Sequence, residues 1–254
     1  MTLERASSAL VLAGAVAGWQ LLATVAPGLE LSSPLGVLAA ARTLAADGSL
    51  ARAVLVSWQT VLQGFLIATV LGVPLGILMG YWTHVGAWIL PTVDVLRPIA
   101  PFAWIPMAIL WFGASSGAGV MITAYAAFFP IVTSTLGGVA RVRTAFILAA
   151  RTLGAGEWTI FYRIVLPGSA PLVLVGLRLG IGLAWAAVIA AELATGKSTN
   201  APPGIGYLMY LNFATEADTN AIVAMMVVIG LSALAADWLV RRLHERLVFW
   251  PVER

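Results

Sequence analysis

The chain has 254 residues, of which 61% are hydrophobic and only 10% are charged, with a mean hydropathy of +0.96 and a formal net charge of +3. Average soluble domains carry about 25% charged residues, so this composition excludes a water-soluble protein and requires lipid as part of the solvent. There is no cysteine, which excludes disulfides and cysteine metal sites. The basic residues lie between apolar runs, where membrane orientation places them, and this placement argues against a nucleic-acid partner.

Six apolar runs are long enough to predict six transmembrane helices. They cover approximately residues 9–26, 54–80, 87–110, 119–140, 171–194 and 221–240. The third run is interrupted by four prolines, which are Pro91, Pro98, Pro101 and Pro106. We therefore predict an all-α, polytopic fold and a single membrane domain over residues 1–254.

The first run has an alternative interpretation as a cleaved signal peptide, because Arg5 precedes it and residues 23–26 are mostly small. Against this, Pro27 follows directly, Glu4 offsets the positive charge, and the run is long for a signal sequence. We expect the segment to be retained as a transmembrane helix.

The arginine and lysine residues predict the orientation of the spans, because cytoplasmic loops carry an excess of them. With the N-terminus inside, the cytoplasmic side holds Arg5, Arg141, Arg143, Arg151, Arg163, Arg241, Arg242, Arg246 and Arg254, and the outer side holds Arg42, Arg52 and Lys197. Both termini are then cytoplasmic. Residues 27–53 form an extracytoplasmic amphipathic segment, residues 195–220 form an extracytoplasmic loop, and residues 141–168 form the longest cytoplasmic segment.

The cytoplasmic segment contains the sequence AARTLGAGEWTIFYRIVLP at residues 149–167. Gly154 suits a helix C-cap, and Glu157 suits the start of a second helix. An apolar stripe at helical spacing follows, and Pro167 is expected to stop this helix before the fifth span. The predicted helix–turn–helix lies at the membrane face, as a simple connector or as a docking site for another protein.

This segment resembles the EAA coupling loop of ABC-importer permeases, whose pattern is E-A-A, three residues, Gly, about nine residues and I-x-L-P. The matching residues are Ala149, Ala150, Gly154, Ile164, Leu166 and Pro167. Leu148 stands where the family has Glu, a departure that removes one polar contact. Residues 97–113, 127–131, 176–179 and 204–208 extend the resemblance to the permeases for sulfonates, taurine, nitrate and bicarbonate.

The resemblance implies a type I importer permease in the bacterial inner membrane, forming the translocation path by alternating access for a small organic or inorganic anion. Its partners would be a cytoplasmic ABC ATPase dimer, which holds ATP and Mg, a second permease subunit that is identical in many relatives, and a periplasmic or lipid-anchored binding protein. The ATPase-coupling residues would be Ala149, Ala150, Gly154, Glu157, Phe161, Ile164, Leu166 and Pro167. No cofactor is expected on this chain itself. Substrate identity and the choice between homodimer and heterodimer stay open.

The tripeptide Gly196-Lys197-Ser198 resembles the end of a Walker A loop. The first glycine of that motif would be residue 191, which is alanine, and the predicted topology places the tripeptide outside the cell. We therefore expect this chain not to be an enzyme, with ATP hydrolysis on a separate subunit.

Ionisable residues within membrane spans are candidates for function. Asp94 and Arg97 are three residues apart and could satisfy each other on one helix face. Arg178 could extend to the cytoplasmic face, or could line an anion path with Arg97. Glu192 could face water or belong to a gate, and Asp237 is expected to be solvated.

Small residues at four-residue spacing, Gly72, Gly76 and Gly80 on the second span and Gly176 and Gly180 on the fifth, predict close helix packing. The stretch from Gly204 to Asn212 is interpreted as a short outer helix that acts as a gate or lid.

Two other classes of membrane protein fit this sequence less well. An ion-coupled secondary transporter can also have broken helices and charges at the midplane, but it needs no cytoplasmic helix–turn–helix of this pattern. An intramembrane enzyme needs a nucleophile–base or metal cluster, and the chain has only His84 and His244, both at predicted cytoplasmic ends.

Overall fold

A computed structural model describes residues 2–25, 32–142, 144–195, 203–215 and 218–247. The helices in chain order are α1 (Thr2–Val25), α2 (Pro34–Ala46), α3 (Ser49–Tyr81), α4 (Thr83–Leu96), α5 (Ile105–Phe112), α6 (Ser116–Ala140), α7 (Thr144–Thr152), α8 (Glu157–Ile160), α9 (Leu166–Thr195), α10 (Ile205–Thr215) and α11 (Thr219–Leu247). A 3₁₀ turn (Pro101–Trp104) precedes α5, and a π-helical segment (Phe161–Val165) joins α8 to α9. The described residues contain no strand, so the predicted all-α fold is confirmed.

Four helices are long and apolar enough to cross a membrane, and they confirm the second, fourth, fifth and sixth predicted spans. These helices are Ser49–Tyr81, Ser116–Ala140, Glu157–Thr195 and Thr219–Arg242. Their helicity follows from the membrane environment, because a backbone in lipid must satisfy its hydrogen bonds within its own segment.

The third predicted span is not one straight helix. It consists of α4 and the segment Pro101–Phe112, which meet at an angle of 84°. Pro98 and Pro101 lie at the break and have no N–H to donate to the preceding turn. Counting this bent pair as one span gives five described spans. The predicted first span, residues 9–26, falls largely within α1, whose apolar stretch Gly14–Val25 is shorter than the four long helices.

The core of the fold is the packing of α6 against α3 and α9. Glycines create these contacts, since a Cβ atom placed on Gly76 would lie 2.6 Å from Thr135 Cβ, and one on Gly80 would lie 2.6 Å from Val139 Cβ. On the other face of α6, a Cβ on Gly176 would lie 2.7 Å from Ser134 Cβ. The prediction that the regularly spaced glycines mediate close helix packing is therefore confirmed for both helices.

The ends of the long helices define two faces of the molecule. One face carries α7 and α8 and is called the α8 face here. The opposite face carries α2 and α10 and is called the α10 face. There Ser33 caps α2, since its Oγ accepts a hydrogen bond from the Gly36 N–H at 3.0 Å, and the Asn220 side chain accepts one from the Ser33 N–H at 3.2 Å. The segment predicted over residues 27–53 thus includes a helix fixed to the start of α11.

Candidate functional site

The turn between α7 and α8 has the geometry predicted for a glycine C-cap. Gly154 has a φ of +79°, a left-handed conformation that glycine adopts without strain. The Ala155 N–H donates to the Ala150 carbonyl at 3.0 Å, and the Gly154 N–H donates to the Arg151 carbonyl at 3.0 Å. These two bonds close the end of α7 as in a Schellman motif. The predicted helix–turn–helix is therefore present.

Glu157 is the residue that holds this turn in place. It is the first residue of α8, as predicted. Its carboxylate accepts a hydrogen bond from the Tyr81 hydroxyl at 2.7 Å and pairs with the Arg151 guanidinium at 2.8 Å. Glu157 thereby joins α8 to the end of α3 and to α7. Tyr81 was not singled out in the sequence, because it lies far from residues 149–167 along the chain.

The apolar stripe after Glu157 packs inward and leaves other apolar side chains outside. Ile160 and Val165 are buried against Val139 at the end of α6. Leu153 and Trp158 are 87% and 74% exposed, and Tyr162 is also exposed and stacks on Trp158 at a centroid distance of 5.9 Å. We call the stacked side chains of Trp158 and Tyr162 the aromatic knob.

All eight predicted coupling residues lie in this helix–turn–helix or in the helix that continues from it. They are Ala149, Ala150, Gly154, Glu157, Phe161, Ile164, Leu166 and Pro167. The expectation that Pro167 ends the second helix is wrong, because α8, the π segment and α9 run on as one helix, Glu157–Thr195. In the π segment the Leu166 N–H donates to the Phe161 carbonyl, five residues back, and this wider register accommodates the missing N–H of the following proline.

A cavity of about 320 Å³ lies beside the break between α4 and the 3₁₀ turn. Its lining includes Arg97, Pro101, Tyr125 and Phe129 together with side chains from the middle of α6 and α9. The Tyr125 hydroxyl donates to the Leu96 carbonyl at 2.7 Å and so fixes the last turn of α4. Arg97 is therefore positioned at the mouth of a cavity that belongs to three helices.

Asp94, the predicted ion-pair partner of Arg97, does not line this cavity. Both side chains are exposed, and the described structure contains no ion pair between them. The interpretation that they satisfy each other is not supported. Within the part of the chain that the structure describes, no acidic side chain lines the cavity.

Arg178 is engaged elsewhere. Its guanidinium donates hydrogen bonds of 2.8 and 3.1 Å to the two carboxylate oxygens of Asp237 on α11. Asp237 also accepts a hydrogen bond from Arg241 at 2.9 Å. Asp237 is therefore an ion-pair partner of two arginines, which differs from the expected solvated carboxylate. A role of Arg178 in an anion path stays a prediction.

Glu192 lies near the α10 face and is buried, with only 7% of its surface exposed. Its carboxylate accepts hydrogen bonds from the Ser57 hydroxyl at 2.7 Å and from the Gly206 N–H at 2.9 Å. The Ser57 hydroxyl in turn accepts one from the Ile205 N–H at 3.0 Å. The alternative that Glu192 faces water is wrong, because the side chain joins α3, α9 and the first turn of α10.

The structure thus defines a polytopic helical membrane protein with a broken intramembrane helix and a structured helix–turn–helix on one face. A family model described as binding-protein-dependent transport system inner membrane component matches residues 72–249, and the chain belongs to this family.

The comparisons with individual proteins agree with this family. The chain is 37% identical over 235 residues to a probable ABC transporter permease protein of Brucella melitensis, a match that covers 92% of this chain and 93% of the relative. It is 30% identical over 207 residues to the taurine transport system permease protein of Escherichia coli, covering 82% and 73%. A solved methionine ABC transporter chain aligns with a TM-score of 0.57 at 19% identity, covering 76% of this chain and 95% of the other, which shows the fold.

Proposed function

We propose that this chain is the permease subunit of an ATP-driven importer and forms the path for a small anion by alternating access. The observation that carries the proposal is the aromatic knob, an apolar surface held outside the membrane core by the Glu157 contacts to Tyr81 and Arg151. Exposed aromatic side chains on a rigid support are typical anchors for a partner protein. The partner here is a separate ABC ATPase, which hydrolyses ATP.

The full assembly that we propose has two ATPase subunits that hold ATP and Mg, a second permease chain identical to this one, and a periplasmic or lipid-anchored binding protein. The α8 face is then cytoplasmic, and segment 141–168 is the coupling loop. The arginines of this face support that orientation in the inner membrane, since Arg141, Arg151 and Arg163 all lie there. Both termini are cytoplasmic in this arrangement, and segments 27–53 and 195–220 lie on the outer side.

Two observations support an anion as the substrate, one from a similar protein and one from the chemistry of the Arg97 cavity. The taurine permease of Escherichia coli is similar to this chain over most of its length. Arg97 supplies a guanidinium at a cavity without acidic side chains, and a guanidinium suits sulfonate or carboxylate groups. The alternative of an ion-coupled secondary transporter is not favoured, because the family is one of binding-protein-dependent systems.

Co-purification with a candidate ABC ATPase of the same organism tests the proposal. The variants Trp158→Ala and Trp88→Ala remove two highly exposed tryptophans, 74% and 85% exposed, and only Trp158 belongs to the aromatic knob. Truncating an interface tryptophan costs about 2 kcal/mol or more, so Trp158→Ala should weaken ATPase binding at least about 30-fold. The Trp88→Ala variant should bind like the unmodified chain.

Reconstituted vesicles complete the test. Unmodified permease with ATPase and binding protein should take up solute only when ATP is present. Uptake driven by an ion gradient without ATP, or equal ATPase binding by both tryptophan variants, would overturn the proposal.

A further inference from the structure

Two hydrogen-bond donors at the Arg97 cavity have no partner within the described residues. One is the Arg97 guanidinium, and the other is the Ser134 hydroxyl on α6. The neighbouring Thr133 hydroxyl differs, because it donates to the Phe129 carbonyl of its own helix at 2.8 Å. Both free donors line the same cavity, and one of them carries a positive charge.

The cavity is lined by side chains of two membrane spans. Phe129 lies near the middle of α6 (Ser116–Ala140) and Ser134 lies about two turns before its end, whereas Leu179 and Leu183 belong to the central part of α9 (Leu166–Thr195). An unpaired arginine between membrane spans is costly against lipid and is found facing water or protein instead. The mouth of the cavity therefore faces the translocation path or a second subunit, and not the acyl chains.

The backbone at Arg97 is fixed before any ligand arrives. Its backbone N–H donates to the Val93 carbonyl at 2.9 Å, and the Tyr125 hydroxyl holds the adjacent Leu96 carbonyl at 2.7 Å. Tyr125 also packs edge-on against Phe129, with ring centroids 5.0 Å apart. The backbone that carries Arg97 is thus already ordered, and only the side chain, which has no partner among the described residues, loses conformational freedom when it binds an anion.

The rest of the lining is mainly apolar. Two aromatic rings, two prolines and the leucines of α9 surround the two donors. A small inorganic oxyanion that entered would lose its hydration on every side and regain hydrogen bonds on only one. An organic anion loses hydration only at its head group and gains by burying its apolar body. The volume of about 320 Å³ lies at the lower end of the range for small-molecule sites.

We propose that this cavity is a binding site for an organic monoanion with an apolar body, so that the permease itself contributes to substrate selection. Arg97 binds the sulfonate or carboxylate head, Ser134 donates a second hydrogen bond to it, and Tyr125 and Phe129 contact the body. This inference rests on the proposed function for its biological setting, but its binding chemistry is tested without ATPase or binding protein.

The probes are benzenesulfonate, methanesulfonate and nitrate, titrated calorimetrically into the full chain in lipid nanodiscs at constant ionic strength. Benzenesulfonate should bind at least about tenfold more tightly than methanesulfonate, because it buries an aromatic ring, and nitrate should bind most weakly. Arg97→Gln should weaken benzenesulfonate binding about 10- to 100-fold, and Ser134→Ala about 2- to 10-fold. The matched control is Arg42→Gln, which removes an exposed arginine from α2, away from the cavity.

Several results would overturn the proposal. These are nitrate binding as tightly as benzenesulfonate, equal binding by Arg97→Gln and Arg42→Gln, or no binding of any probe by folded unmodified chain. If Arg97→Gln does not fold, the cavity-filling variant Leu183→Trp replaces it and should reduce benzenesulfonate binding at least about tenfold. If the probes do not bind but the ATPase still co-purifies, the importer function stands and the cavity proposal fails. If ATPase binding is lost but the probes still bind, the cavity proposal stands and the importer function fails.

Discussion

Arg178 on α9 and Asp237 on α11 are joined by two hydrogen bonds of 2.8 and 3.1 Å, with both carboxylate oxygens engaged. This pair connects α11 to α9 and so to the core of the fold. Paired charges of this kind are how ionisable side chains are tolerated within a membrane domain.

Breaking this pair should loosen α11. Both side chains are partly exposed, so we expect a cost of only about 1 kcal/mol for Asp237→Asn or Arg178→Gln. Thermal unfolding in detergent measures it, and the double variant should cost less than the sum of the two single variants. The exchange Arg178→Asp with Asp237→Arg should recover part of the loss. Strictly additive effects would show that the two residues do not interact.

At the contact between α3 and α6, a single added methyl group should clearly lower the stability of the fold. Gly76→Ala places a Cβ 2.6 Å from Thr135 Cβ and 2.8 Å from the Val132 carbonyl, and overpacking of this kind costs about 1–3 kcal/mol. Gly137→Ala is the matched control, because no atom lies within 4 Å of its added Cβ. Unfolding in detergent should separate the two variants, and equal midpoints would contradict the packing described for these helices.

The turn at Gly154 predicts a difference between two glycines only two residues apart. Gly154 has a φ of +79°, whereas Gly156 has a φ of −72°. Gly154→Val should therefore cost about 1–2 kcal/mol in the local structure of the helix–turn–helix, and Gly156→Ser, which suits an N-cap, should cost little. Hydrogen exchange at residues 150–160 in the purified chain is the measurement. Gly154→Asn, which tolerates the left-handed conformation, should resemble the unmodified chain.

The Glu192 cluster predicts that Ser57 is needed to hold α10. Ser57→Ala leaves the Ile205 N–H without its acceptor and removes a donor from the Glu192 carboxylate, and leaving a buried polar group unsatisfied costs about 1–3 kcal/mol. Thr69→Ala is the control, since the Thr69 hydroxyl bonds only to the Phe65 carbonyl of its own helix. Hydrogen exchange of residues 205–212 should accelerate in the first variant alone. If exchange there is unchanged by Ser57→Ala, α10 is held by its apolar contacts.

Hydropathy and glycine spacing were enough to predict the four long spans and the close packing of α3 and α9, because both signals depend on residues within one helix, but they did not identify α6 as the shared partner. The Gly154 cap was predictable for the same reason. The pattern placed the predicted coupling residues on one helix–turn–helix, but it did not show how Glu157 is held.

Contacts between distant segments were not predictable. Nothing near Glu192 in the sequence indicates Ser57, and nothing near Glu157 indicates Tyr81, because each pair is created by the packing of whole helices. The same holds for the charges. The spacing of Asp94 and Arg97 suggested an ion pair that the structure does not contain. The ion pair between two spans instead joins Arg178 to Asp237, 59 positions apart in the sequence. The break in the third span was visible as prolines, but its angle of 84° depends on the helices around it.

The unbroken helix Glu157–Thr195 has a mechanical consequence. Its 39 residues span about 58 Å at 1.5 Å per residue, so a tilt of about 10° around its midpoint displaces each end by about 5 Å, in opposite directions. One end carries Glu157 and its contact to Tyr81, and the other carries Glu192 and its contacts to the start of α10. If this helix moves as a rigid body, a displacement at the α8 face produces an opposite displacement at the α10 face, and Leu179 and Leu183 of the Arg97 cavity lie close to its midpoint.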